Sequence, residues 1–139
     1  MTKKEYVKSL RGYLKQFKDC RARVKELERR IMTVQSMEER EKLTAAYGEA
    51  FLHARNVFKF IELTEGEKEK RVLELHYIDC KSWGEIARAV KYSYGYCTHI
   101  EEAALRSLVD KKEVIAILEN KKSRLNESQQ NIAKITCYT

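Results

Sequence analysis

Apolar residues return at alternating spacings of four and three from the first helical turn onward: Tyr6, Leu10, Tyr13, Phe17, Cys20, Val24, Leu27, Ile31 and Val34. This rhythm is the seam of a helix lying along another helix in coiled-coil fashion. A polar turn at Thr33–Met37 interrupts it, and Ser36 with Glu39 then forms the capping box S-x-x-E. Leu43, Tyr47, Ala50, Ala54, Val57 and Ile61 resume the same rhythm. The economical reading is an antiparallel helical hairpin, with the small Ala50 and Ala54 letting the backbones approach beside Tyr13 and Phe17. Gly48 costs about 1 kcal/mol against alanine in a helix interior, which marks the second helix as locally weak. The same seam also fits a homodimer through the N-terminal helices.

From Leu63 to Leu108 the pattern changes to shorter capped helices. Thr64 with Glu67 fits a second capping box, opening a helix whose face carries Val72, Leu73, Leu75, His76 and Ile78. Ser82 with Glu85 fits a third, followed by the apolar face Ile86, Ala87 and Val90. That helix stops near Lys91–Tyr92. Ser93 caps the next, in which Cys97, Ile100, Ala104 and Leu108 recur at helical spacing. A link of two or three residues forces a steep crossing, as in a helix-turn-helix whose second helix enters the major groove. Val114, Ile115, Ile117 and Leu118 mark a short closing helix. The tail beyond Asn120 is polar, with a small apolar patch at Ile132, Ile135 and Tyr138.

Composition narrows the fold class. The 139 residues contain no proline, only five glycines and 35% charged residues, so strand-and-turn architectures are disfavoured and an all-α protein is expected. The expected division is a basic helical hairpin over residues 1–62, a helix-turn-helix domain over 63–120 and a polar tail over 121–139. No apolar run approaches the ~20 residues that cross a bilayer, and MTKKEYVK lacks a signal-peptide core. The expected location is therefore the cytoplasm, without a membrane partner.

The motif Leu63-Thr64, Val72-Leu73-x-Leu75-x-Tyr77, Ser82-Trp83-x-Glu85-Ile86-Ala87, Ser93 and Cys97-x-x-Ile100-x-x-x-Ala104-Leu105-x-x-Leu108 resembles the fourth conserved region of bacterial sigma factors. The run from His76 to Ala87, the words around Tyr92–Tyr96 and the long basic helix ahead resemble small sigma-like regulators of Gram-positive phages. Those regulators act on late operons near the packaging genes. The resemblance covers roughly a third of the chain. It implies a bacterial host cell, duplex DNA as partner and possible contact with RNA polymerase. It further implies DNA contacts from Lys81, Ser82, Arg88, Lys91, Ser93, Tyr94, Tyr96, Thr98 and His99.

Charge is placed unevenly. Residues 1–31 hold eleven Lys and Arg against four acids, whereas residues 63–110 hold seven against nine. No Lys or Arg lies between Lys91 and Arg106, and Glu101 and Glu102 make that stretch acidic. The basic face of the first helix, including Lys8, Arg11, Lys15, Lys18 and Arg23, is therefore read as a second surface for phosphate or an acidic protein. Trp83 is expected in the core or as a partly exposed anchor, and His53 and His76 are expected to be packed.

Catalytic signals are missing from the sequence. It has no Gly-rich phosphate loop, no Ser/His/Asp arrangement and no paired carboxylates in a concave setting, so no enzyme and no cofactor are expected. Cys20, Cys80, Cys97 and Cys137 form no C-x-x-C pair and are read as free thiols. A zinc site from His76, Cys80, Cys97 and His99 lacks the usual ligand spacing, and no metal is expected. The leading expectation is a phage or mobile-element transcriptional regulator that binds specific DNA sequences. The alternatives are a small-terminase-like packaging factor and a protein-binding inhibitor that reuses the helix-turn-helix fold.

Overall fold

The computed structural model describes residues 1–120, and all of its regular elements are helical. They are α1 (Lys3–Lys15), α2 (Phe17–Thr33), α3 (Met37–Leu63), α4 (Glu67–Leu73), a π-helical turn over Glu74–Ile78, α5 (Trp83–Val90), α6 (Tyr94–Leu108) and α7 (residues 112–120). The expectation of an all-α chain from its lack of proline and its helical periodicity therefore holds for the described residues. The patch at Ile132, Ile135 and Tyr138, and Cys137, lie outside them.

Helix starts follow local chemistry. The side chains of Thr2, Ser36, Ser82 and Ser93 accept hydrogen bonds from Glu5, Glu39, Glu85 and Tyr96 N–H respectively, each three residues on. Such caps satisfy amide donors that have no partner within the helix. Thr64 behaves differently from the expected cap. Its hydroxyl is buried and donates back to Phe60 O at 3.0 Å, closing the end of α3. Gly66 starts α4 instead, at φ 92°, a conformation that disfavours any residue with a Cβ. Lys91 ends α5 in the left-handed region at φ 62°, and Tyr92 N–H reaches back to Ala87 O.

The seam expected to form one helix from Tyr6 to Val34 breaks at Gln16. The cause is non-local. His53 Nε2 lies 2.8 Å from Tyr13 O and, because a carbonyl only accepts, the ring N–H donates there. The His53 ring also stacks on Tyr13 at 3.7 Å. With its carbonyl shared between His53 of α3 and the Gln16 N–H, Tyr13 lies in the last turn of α1, which closes at Gln16 in the right-handed helical region.

Beyond the break, α2 and α3 run antiparallel. Phe17 meets Phe58 edge-on at 5.3 Å, Tyr47 donates to Glu28 at 3.0 Å, and Arg40 donates to Val34 O at the connecting turn. The apolar seam between them is thin: Leu27, Leu43 and Ala50 are buried, while Val24 and Ile31 are only partly covered. Gly48 sits inside an unbroken α3.

Helix α1 takes a different partner set. Val7, Leu10, Tyr13 and Leu14 share the main core with Val57, Phe60 and Ile61 of α3, Leu105 and Leu108 of α6, and Val114 and Leu118 of α7. A smaller cluster of Val72, Ile86, Cys97 and Ile100 joins α4, α5 and α6. Along α6, α1 runs antiparallel: Lys3 pairs with Asp110, Arg11 with Glu101, and Lys15 shares a groove with Thr98. No helix among the described residues is long and apolar enough to cross a membrane.

Candidate nucleic-acid interface

Helices α5 and α6 pack together across the three-residue link Lys91–Ser93, and with that link and the Lys81–Ser82 entry they hold the residues nominated for DNA contact. Ser82 and Ser93 are both engaged as caps, so their oxygens organise the first turns of the two helices. Around the start of α6, Tyr92, Tyr94 and Tyr96 stand 41%, 58% and 40% exposed. Tyr92 meets Tyr96 edge-on at 5.1 Å. Tyr96, His99, Ala103 and Arg106 form one exposed stripe at helical spacing.

Thr98 does not share that stripe. Its hydroxyl donates to Gly95 O at 2.9 Å, and its side chain lines a groove of about 460 Å³ between α1 and α6 with Lys15, His76 and Trp83. Arg88 Nε leans back to Gly84 O at 3.4 Å, Lys81 faces Glu85 at 3.9 Å, and Lys91 is exposed at the turn.

A cation missed by sequence reading sits at the first turn of α6. Lys68, from α4, donates to the Tyr96 hydroxyl at 2.7 Å and lies 5.1 Å from the centre of that ring. The hydrogen bond with Tyr96 raises the lysine pKa. No local pattern in the sequence pairs positions 68 and 96.

The acidic stretch of α6 is answered by α1. Arg11 Nη2 lies 2.7 Å from Glu101 Oε1, its Nε 3.4 Å from Glu101 Oε2, and the same guanidinium pairs with Glu102. Glu101 is buried and also accepts from the Tyr77 hydroxyl at 3.0 Å. The paired carboxylates raise the Arg11 pKa, chiefly through the hydrogen bond to Glu101. That guanidinium holds the Glu102 carboxyl below its ordinary range, while burial pushes the Tyr77 phenol up. Arg11 is therefore bound up in the fold, not presented as a free cation. The signal for Glu101 was legible: it falls on the apolar stripe with Cys97, Ala104 and Leu108, where an unpaired carboxylate would be costly.

This docking places the basic face of α1 beside α6. Lys8 and Lys15 lie on the same side of α1 as Arg11, one turn before and after it, and both are exposed. The other two residues of the expected basic surface diverge. Lys18 lines a second groove, between α2 and the turn before α5. Arg23 lies about 160° round α2 from Arg21, on the opposite flank from that groove. The five nominated bases are thus not one continuous surface.

The aromatic and sulfur groups near α5 have structural partners. His76 stacks on Trp83 at 4.0 Å and its Nδ1 lies 3.2 Å from Lys81 O, while partial burial lowers its pKa. The π-helical turn, closed by Asp79 N–H to Glu74 O at 3.0 Å, sets His76 toward Trp83 and Tyr77 toward Glu101. Cys97 is buried and its thiol pKa is raised by burial; Cys80 is exposed and Cys20 half-buried. Among the described residues, no group of three His, Cys, Asp or Glu is arranged to hold a metal ion. The chain matches no protein-family model, no curated protein and no solved structure.

Proposed function

We propose that this chain is a transcriptional regulator of phage or mobile-element type that binds specific duplex DNA. In this reading α5 and α6 act as a sigma region-4-like helix-turn-helix, α2 and α3 form a helical hairpin beside it, and a second surface is free for RNA polymerase. The observation that carries the reading is the antiparallel seat of α1 against α6. Arg11 neutralises Glu101 and Glu102, and Lys8 and Lys15 flank the pair. The positive charge lacking between Lys91 and Arg106 is thereby supplied by a neighbouring helix, where it would meet phosphate along one flank of the exposed Tyr96–His99 stripe. Base edges would then be read by the tyrosine hydroxyls and His99, with Tyr94 at the leading turn.

Selection of bound sequences from random duplex DNA tests this directly, and two triple variants separate the surfaces. Tyr96, Thr98 and His99 replaced by alanine should lower preference for the selected site by roughly 1–3 kcal/mol for each base edge no longer read. Given its inward seat, Thr98 should contribute least. Lys8, Lys15 and Arg23 replaced by glutamine should weaken binding on all sequences and flatten the salt dependence by about one log–log unit for each phosphate no longer neutralised. Arg23, on the far flank of α2, should account for the smallest share. If both triple variants bind target and random duplexes like the parent, neither surface touches DNA and a protein-binding role replaces this one. A ring-sized oligomer would instead favour a packaging factor.

A further inference from the structure

We propose that the groove between α2 and the Asp79–Lys81 turn is a docking site for a short acidic segment of a partner protein that carries apolar anchor residues. The groove encloses about 690 Å³ and is distinct from the one shared by α1 and α6. Its rim is formed by Lys18, Arg21, Lys25 and Lys81, against a single acid, Asp79. Some bases elsewhere are answered by neighbouring carboxylates, as in Lys3–Asp110, Arg29–Glu26, Arg106–Glu102 and Lys111–Glu65. Lys18, Arg21 and Lys25 have no such partner among the described residues, and Arg21 instead leans over the Phe17 ring at 6.0 Å. Three like charges held along one wall repel one another, and an anionic ligand relieves that repulsion.

The floor decides between anionic ligands. It is apolar, made by Phe17, Ala22 and Ile78. A phosphate backbone gains nothing from such a floor and meets proteins through protruding side chains, whereas a peptide carboxylate next to an apolar side chain satisfies rim and floor together. From Phe17 to Lys25 the groove spans about 12 Å along α2, the length of two helical turns, so its occupant is short. Residues 121–139 of this chain carry four bases and one acid, and like charge excludes them as the occupant. The proposal does not rest on DNA contact by α6.

The test is a displayed library of random peptides panned against the full chain at moderate salt. Arg21→Glu/Lys25→Glu and Ala22→Trp serve as comparison proteins. Arg21, Ala22 and Lys25 are all exposed, so circular dichroism should show parent-like folding for both. Enriched peptides should be net acidic with at least one large apolar residue. Both variants should weaken them at least about tenfold, one by reversing the rim and one by filling the groove. Duplex affinity should be unchanged by Ala22→Trp. The proposal is overturned if enriched peptides are not acidic, or if neither variant affects them. It is equally overturned if the charge variant weakens duplex binding with a shallower salt slope, which would make the groove a phosphate track. Concentration-dependent self-association abolished by either variant would overturn it too, by assigning the groove to a second copy of this chain.

Discussion

Replacing Arg11 by methionine isolates the contact on which the α1–α6 arrangement depends. The substitution keeps much of the aliphatic stem and removes the guanidinium, leaving the buried Glu101 with the Tyr77 hydroxyl as its remaining partner. Breaking a fully buried pair costs about 3–5 kcal/mol; the Arg11 side chain is 31% exposed, so solvent screening reduces the expected loss to about 2–3 kcal/mol. For a chain of this size that is a drop of roughly 8–12 °C in melting temperature. The assay is thermal unfolding of the parent, Arg11→Met, Glu101→Gln and the double variant. Glutamine still accepts from Tyr77, so the double variant should recover part of the loss, with a coupling of at least about 1 kcal/mol. Acid supplies a second readout. The folded-state pKa of Glu102 is depressed, first through its bond to Arg11, so this pairing contributes fully above the ordinary 4.5 and is lost as pH falls below it. The penalty of Arg11→Met should therefore narrow below pH 4.5. A single variant within about 0.5 kcal/mol of the parent, or strictly additive losses, would refute the reasoning.

Two further outcomes test the packing and the caps. Phe17→Asp buries an unpaired carboxylate where α1, α2 and α3 meet, so several kcal/mol of stability should disappear; unchanged thermal unfolding and unchanged oligomeric mass would rule the site out as core. Ser93→Ala removes the acceptor for Tyr96 N–H and should cost about 1 kcal/mol in denaturant unfolding, with exchange of the Tyr94–Tyr96 amides accelerating more than that of Leu105.

Local chemistry was the legible part of this chain. Ser36, Ser82 and Ser93 announced their helices because a cap needs only its own residue and an amide three positions on. Thr64 misled because T-x-x-E also arises when a threonine closes the preceding helix, and only the end of α3 decides which occurs. The break at Gln16 left no trace in the period, since its cause is a histidine forty residues away taking the Tyr13 carbonyl. Charge by segment misled in the same manner. It separated the bases of α1 from the acids of α6, and Arg11 and Glu101 are ninety positions apart yet in contact. Glu101 on an apolar stripe signalled that a cation was needed without saying which.

The seat of α1 on α6 also bears on when this surface comes into being. Lys3 contacts Asp110 across 107 positions and Tyr6 contacts Glu119 across 113, so the seat of α1 is closed by contacts far apart in the chain. Closing so long a loop carries a large entropic cost before any contact rewards it, and such contacts slow folding. Residues 63–110 alone carry more acids than bases and would repel a polyanion. A clipped fragment holding only that stretch would lack the cations of α1. The positive field beside α6 thus arises only once α1 has docked against it.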